Sequence, residues 1–113
     1  MWSIIMALTF TNGTYTTTTS EADIFTPLTT AGYYGLHIFF QNMTGTETFV
    51  IKVYTYDSNA TAAFRLFDTI TLTGAQTNTA AFIPMIPTQQ YKVTVQKTAG
   101  TNRVLNYVIV TQT

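Results

Sequence analysis

The residues that could carry acid–base or nucleophilic chemistry are few and scattered. The chain has no cysteine, one histidine (His37), and serines only at Ser3, Ser20 and Ser58. None of these serines lies in the Gly-x-Ser-x-Gly turn that exposes a catalytic serine, and no second histidine is present to help bind a metal. We interpret His37 as a packed or surface histidine of a strand and predict that the protein is not an enzyme.

The acidic residues also lack a convincing arrangement for catalysis or metal binding. Two carboxylates could flank a glycosidic bond as a pair, but most of the five acids fall at predicted turns or strand ends. Asp57-Ser58-Asn59 begins like a calcium loop yet lacks the glycine and the bidentate glutamate that follow in an EF-hand. Asp and Asn commonly serve turn geometry, so we predict no metal and no cofactor.

Charge and the length of the apolar runs argue against two further classes of partner, nucleic acid and a membrane. Charged residues make up only 9% of the chain, and five acids balance five bases. The bases are scattered, whereas a nucleic-acid interface needs clustered Lys and Arg. No apolar run approaches the length of about 20 residues that spans a membrane. We expect neither nucleic acid nor a membrane as partner.

The apolar residues recur with the period of two that is typical of strands. Threonine, a β-branched residue suited to a pleated sheet, alternates with aromatic and aliphatic residues. Asn12-Gly13 is a strong hairpin signal and predicts a turn between strands Leu8–Thr11 and Thr14–Thr19. The other predicted strands are Ala22–Leu28, Tyr33–Gln41, Thr48–Tyr56, Ala63–Thr73, Thr79–Ile86, Tyr91–Thr98 and Arg103–Thr111.

This spacing predicts an all-β fold, a two-sheet antiparallel β-sandwich that is jelly-roll-like and has eight or nine strands. We expect one domain over residues 1–113, with 1–8 as an N-terminal arm. The alternation predicts a core from inward-facing residues of three strands: Phe49, Ile51, Val53, Phe64, Leu66, Val93 and Val95.

Strands that are almost uncharged lack the usual protection against edge-to-edge pairing. We therefore expect other subunits to cover them. Chain ends are frayed unless something holds them, so the apolar residues of the arm, Trp2, Ile4 and Ile5, are the predicted interface residues.

Two other features leave a second kind of ligand open. A row of exposed tyrosines, drawn from Tyr33, Tyr34, Tyr54 and Tyr56, could stack sugars. Asn12, Asn42 and Asn59 each begin an Asn-x-Thr glycosylation pattern on a predicted turn. The tyrosines make a glycan a possible ligand, although core and interface packing is the commoner use of aromatic residues. The Asn-x-Thr patterns concern covalent glycosylation instead.

A resemblance covers about three quarters of the chain, from Ile24 to Tyr107. Four stretches carry it: Ile24-Phe25-Thr26-Pro27; Phe49-Val50-Ile51-Lys52-Val53-Tyr54; Arg65-Leu66-Phe67-Asp68 with Gly74-Ala75-Gln76; and Tyr91-Lys92-Val93-Thr94-Val95-Gln96-Lys97-Thr98-Ala99-Gly100-Thr101. In these residues the chain resembles small β-sandwich structural proteins of tailed viruses. The resemblance implies a capsid decoration (cement) protein, or a minor head or tail component, that lacks catalytic residues and assembles as a small oligomer.

The sequence thus predicts a non-enzymatic virion structural protein, a capsid decoration, stabilising or minor capsid protein. Its expected partners are its own copies and a major capsid protein, and its expected location is the virion. The alternatives are a carbohydrate-binding β-sandwich on a virion or cell surface, and an extracellular filament subunit assembled by strand exchange.

Overall fold

The computed structural model describes residues 7–59, 61–77 and 79–112. In these residues the regular secondary structure consists of eight β-strands and no helix. The predicted interface residues Trp2, Ile4 and Ile5 lie outside the described residues, as does the predicted arm except for its last two positions. The strands are β1 (Leu8–Thr16), β2 (Ala22–Asp23), β3 (Gly32–Phe39), β4 (Thr48–Asp57), β5 (Ala63–Thr73), β6 (Ala80–Thr88), β7 (Lys92–Ala99) and β8 (Val104–Gln112).

The eight strands form two antiparallel sheets of four. Sheet 1 has the order β1-β8-β3-β6, and sheet 2 has the order β2-β7-β4-β5. The pairing is nested, since β1 pairs with β8, β2 with β7, β3 with β6 and β4 with β5. This nesting is that of an eight-stranded jelly roll and confirms the predicted fold.

The core fills the space between the two sheets. Tyr91 stacks on Phe25 and on Tyr34, with ring centroids 5.9 and 5.3 Å apart. Such offset aromatic pairs add to the stability that burial of their surface provides. Five of the predicted core residues are at most 1% exposed and are confirmed: Phe49, Ile51, Val53, Val93 and Val95.

The prediction that Phe64 and Leu66 belong to the core is wrong because β5 contains a bulge. Val53 pairs with Asp68 and Tyr54 pairs with Leu66, so Phe67 is an extra residue on β5. One extra residue reverses the alternation of the strand. Phe64 and Leu66 consequently lie on the outer face of sheet 2, and Leu66 is 55% exposed.

The predicted hairpin at Asn12-Gly13 is also wrong, because β1 runs through these residues without a turn. Gly13 pairs with Tyr107 of β8. A Cβ atom at Gly13 would clash with the ring of Tyr107. The glycine therefore makes room for an aromatic ring that packs against Phe25 in the interior, and its conformational freedom is not used for a turn.

Candidate interaction surfaces

The outer face of sheet 1 is uncharged. Within the described residues, its four strands contain no Asp, Glu, Lys or Arg. Directly paired residues of neighbouring strands point to the same side of a sheet, so the register shows which side chains share this face. One row across all four strands consists of Asn12, Val108, His37 and Phe82.

This face also presents large apolar side chains to solvent. Val110 lies at its middle, between Phe10 of β1 and Gly35 of β3, and is only 4% exposed. We call the surface the apolar face and define it as Leu8, Phe10, Tyr33, His37, Phe39, Phe82, Val108 and Val110. Four of its members are at least 43% exposed: Leu8, Phe10, Tyr33 and Phe82. Contiguous exposed apolar surface on a soluble domain marks a site of contact with another molecule.

His37 is a packing residue of the apolar face, as the sequence predicted. Its ring centroid lies 4.5 Å from that of Phe82 and 6.2 Å from that of Phe39. In residues 7–59, 61–77 and 79–112, no three His, Asp or Glu side chains come close enough to hold a metal ion. The geometry of His37 is that of an aromatic surface cluster.

A shallow depression of about 460 Å³ lies at one end of the apolar face. The side chains of Asn12, Thr14 and Asn106 supply amide and hydroxyl groups, and Phe39 supplies an aromatic ring. Asn12 was predicted to lie on a turn, but it lies within strand β1. This depression combines polar groups with an aromatic side chain.

The outer face of sheet 2 is charged, and its charges are paired. Lys52 Nζ lies 3.3 Å from Glu21 Oε1, and Lys92 Nζ lies 3.8 Å from Asp23 Oδ1. The hydroxyl of Tyr54 donates a hydrogen bond of 2.6 Å to Glu21 Oε2. The ions of this face are thus paired and remain partly exposed to solvent, and such pairs contribute little to stability.

The contacts between these groups shift two pKa values. The hydrogen bond from Tyr54, followed by the contacts with Lys52, lowers the pKa of Glu21 even though burial raises it. Burial raises the pKa of Tyr54, and the adjacent Glu21 carboxylate raises it further. The hydrogen bond therefore favours an ionised Glu21 carboxylate and a neutral Tyr54 hydroxyl. Together with Lys52 these groups form the ion cluster of sheet 2.

The four tyrosines that the carbohydrate-binding alternative could use do not form one exposed row. Tyr34 is 5% exposed, and its hydroxyl donates to the backbone oxygen of Thr30. Tyr33 lies on the apolar face, whereas Tyr54 and Tyr56 lie on the outer face of sheet 2. The sandwich thus separates Tyr33 and Tyr34 from Tyr54 and Tyr56, so these four rings do not share one surface.

A buried carboxylate, which is not among the predicted site residues, joins the loops at one end of the sandwich. The side chain of Glu47 is fully buried, and Arg103 Nε donates a hydrogen bond of 2.6 Å to it. The amide of Thr44 and the hydroxyls of Thr44 and Thr46 donate to the same carboxylate. The backbone oxygen of Glu47 accepts from Gly74 N. We call Thr44, Thr46, Glu47 and Arg103 the Glu47 cluster.

The Glu47 cluster is structural. Hydrogen bonds from the Thr46 hydroxyl and from the amide and hydroxyl of Thr44, together with Arg103, hold the pKa of Glu47 well below its usual range despite its burial. A carboxylate with this many donors is held as an anion and is not available to transfer a proton. The Thr-x-Thr-Glu spacing was the one available signal, because a Thr hydroxyl readily bonds to a side chain close in sequence.

The described residues include no helix that could cross a membrane. A further ion pair lies within sheet 2, where Asp57 of β4 pairs with Arg65 of β5 at 3.6 Å. The backbone amide of Asn59 lowers the pKa of Asp57, and Arg65 adds to this effect. The charges of the molecule are thus gathered on sheet 2 and in the loops.

Comparison with known proteins adds one distant likeness. No protein-family profile and no curated protein matches this chain. A chain from the solved structure of infectious bursal disease virus, Gx strain, aligns with 96% of this chain at 15% identity and a TM-score of 0.46. This chain covers 33% of that viral chain, and so distant a likeness carries no conclusion about function. The resemblance to tailed-virus proteins stays a prediction.

Proposed function

We propose that this chain is a non-enzymatic virion structural protein that acts through protein–protein contacts. Within that class we favour a capsid decoration, stabilising or minor capsid protein, with its own copies and a major capsid protein as partners. The observation that carries the proposal is the apolar face, which combines exposed Leu8, Phe10 and Phe82 with the absence of any charge. Jelly rolls occur in viral capsid domains and also in lectins, so the surface and not the fold supports this choice.

The energetics of such a contact fit a repetitive assembly. Complete burial of an exposed Phe or Leu side chain contributes roughly 1.5–3 kcal/mol. A few such side chains give a weak single contact once the costs of association are included. A lattice multiplies weak contacts, because each additional contact is made at a high effective concentration.

A particle-incorporation experiment tests the proposal. The chain should be found by mass spectrometry, in many copies, in virus particles purified on a density gradient. Phe82→Asp should fold but be depleted from particles, because a charge would have to be buried in the contact. The matched control is Leu66→Asp on the outer face of sheet 2, where the side chain is similarly exposed. Absence of the protein from particles, or equal incorporation of both variants, would contradict the proposal.

The predicted anchor residues extend this proposal to the chain terminus. We propose that Trp2, Ile4 and Ile5 bind a neighbouring protein and hold the subunit on its shell. Trp2→Ala should weaken attachment to the particle while leaving the unfolding midpoint of the isolated domain unchanged. If the variant attaches normally, the arm is not an anchor.

Carbohydrate binding, on a virion or cell surface, is the second candidate. It is favoured by the depression lined by Asn12, Phe39 and Asn106, since sugar sites combine amides with an aromatic ring. A glycan array should then show binding that Phe39→Ala abolishes. The strand-exchange filament is less favoured, because one chain already supplies all eight strands of the jelly roll and needs no donated strand.

A further inference from the structure

The two sheets have four edge strands, and these differ in how well they are protected. Edge strands present unpaired backbone N–H and C=O groups, and proteins commonly block them with prolines, charges, bulges or short length. The edges of sheet 1 are β1 and β6, and those of sheet 2 are β2 and β5. Comparison of these four strands shows where another strand could add.

Three of the four edges carry such protection. Strand β2 is only two residues long. Strand β5 carries Arg65 and Asp68 and is bulged at Phe67. Strand β6 contains Pro84 and Pro87, and its register with β3 is also interrupted. Each of these strands is a poor template for pairing with another chain.

Strand β1 carries none of this protection. It is nine residues long, and contains no proline and no charged residue. Its register with β8 is unbroken from Leu8 to Thr16. Within the described residues β1 pairs only with β8, so its other side offers an uninterrupted row of backbone donors and acceptors on a strand without charged side chains.

We propose that β1 pairs antiparallel with β1 of a second copy of this chain, joining the two copies of sheet 1 into one eight-stranded sheet. The inference deepens the proposed function by naming one partner and its mode of contact. A two-fold axis brings the same strand against itself in antiparallel orientation. Any charge on β1 would then face a like charge, which costs free energy, and β1 has none.

The side chains beside this edge fit the same arrangement. Leu8 and Phe10 on β1 belong to the apolar face and are 52% and 61% exposed. Pairing through β1 would place the two apolar faces side by side on one continuous sheet. Backbone hydrogen bonds would supply affinity and direction, as in other complexes formed by strand addition.

Cysteine scanning tests the geometry directly, because the natural chain has no cysteine. Single variants Phe10→Cys, Asn12→Cys, Thr14→Cys and Thr16→Cys would be oxidised in the full-length protein. Cα atoms opposite each other in an antiparallel pair lie about 4.5–5.5 Å apart, within the reach of a disulfide. A two-fold axis gives one closest approach, so dimer formation should be greatest at one β1 position and fall on either side.

The matched controls are Thr69→Cys and Thr71→Cys, which place a thiol at exposed positions of the protected edge β5. Disulfide dimers should form at least about tenfold more slowly at these two positions than at the best β1 position. Equal rates on the two strands, or no cross-linking anywhere on β1, would overturn the proposal.

Sedimentation of charged variants supplies an independent measurement. Asn12→Lys with Thr14→Lys should weaken the dimer at least about tenfold, since like charges would face each other across the axis. Thr69→Lys with Thr71→Lys on β5 should not. A monomer across the whole dilution series overturns the pairing. The proposed function fails separately, on the incorporation of Phe82→Asp, because Phe82 lies on the opposite edge strand of sheet 1.

Discussion

The two outer faces of the sandwich have opposite chemistry although they belong to one small domain. Seven of the ten charged residues lie in the strands of sheet 2, and none lies in those of sheet 1. On the outer face of sheet 2 the ions are paired, as in Lys52 with Glu21. On sheet 1 the equivalent positions hold aromatic and aliphatic side chains, including Phe10 and Phe82.

The outer face of sheet 2 is suited to contact with water, whereas the outer face of sheet 1 is suited to contact with another protein surface. Paired and partly exposed ions keep a face solvated and contribute little to stability. An uncharged face with exposed rings gains free energy when another surface removes it from water. The asymmetry supports the proposed contact through sheet 1, and charge substitutions on the two faces can test that proposal.

The largest effect is expected from a charge introduced at Val110. This residue is 4% exposed in the middle of the apolar face, and no cationic side chain lies in the four strands of sheet 1. Val110→Asp should lower the free energy of unfolding by about 3–5 kcal/mol, the cost of leaving a charge buried and unpaired. Urea unfolding, followed by circular dichroism, measures this loss.

The control is Val50→Asp, at a half-buried position on the outer face of sheet 2. Its loss should be about 1 kcal/mol, because the new carboxylate stays partly in water. Equal losses for Val50→Asp and Val110→Asp would mean that the two faces do not differ in how they tolerate charge.

Much of the fold could be predicted from the sequence, because apolar and polar residues alternate along each strand and this pattern is local. Six strands from β3 to β8 lie within a few residues of their predicted bounds. The errors came from contacts that local patterns do not contain. Gly13 leaves space for the ring of Tyr107, which is distant in sequence. The bulge at Phe67 places Leu66 on the outer face of sheet 2.

The difference in charge between the two outer faces could not be predicted from the sequence, because it depends on the order of the strands in each sheet. Each strand's charges can be counted along the chain, but the order of strands decides which of them share a sheet. The Glu47 cluster was hidden in the same way, because Arg103 lies 56 residues from Glu47. Long-range pairing turns scattered uncharged strands into one continuous face.

Acid should lower the stability of the protein through carboxylates that lie outside the strands of sheet 1. The described strands of sheet 1 contain no carboxylate side chain, whereas the pKa of Glu47 in the adjoining loops is held far below its usual range. A lowered folded-state pKa adds stability that is fully present above the unfolded value of about 4.5 and declines as pH falls below it. Unfolding midpoints should therefore fall steadily from pH 5 downwards.

Glu47→Gln isolates this contribution. The variant should be less stable than the natural protein at pH 7, and its stability should fall less steeply below pH 4.5, because its side chain does not titrate. Asp68→Asn is the control, since Asp68 is exposed and forms no ion pair with the described residues. The pH profile of Asp68→Asn should follow that of the natural protein. Parallel profiles for Glu47→Gln and the natural protein would assign the acid response to other groups.

The smallest effect is expected at the ion cluster of sheet 2. Glu21 and Lys52 side chains are each about one third exposed, and such pairs contribute roughly 0.2–1 kcal/mol. A double-mutant cycle with Glu21→Gln and Lys52→Met should give a coupling energy in this range. Glu21→Gln should also lower the pKa of Tyr54, although burial keeps it above the ordinary value.

Ultraviolet titration of tyrosinate, with Tyr54→Phe to identify the signal, measures that pKa. Asp57→Asn is the control, because Asp57 pairs with Arg65, and it should leave the titration of Tyr54 unchanged. A coupling energy of several kcal/mol would mean that the charges of sheet 2 hold the fold together. A small coupling energy would mean that these charges mainly keep the outer face of sheet 2 exposed to water. The two faces would then differ in the partners that they can contact and not in their contribution to stability.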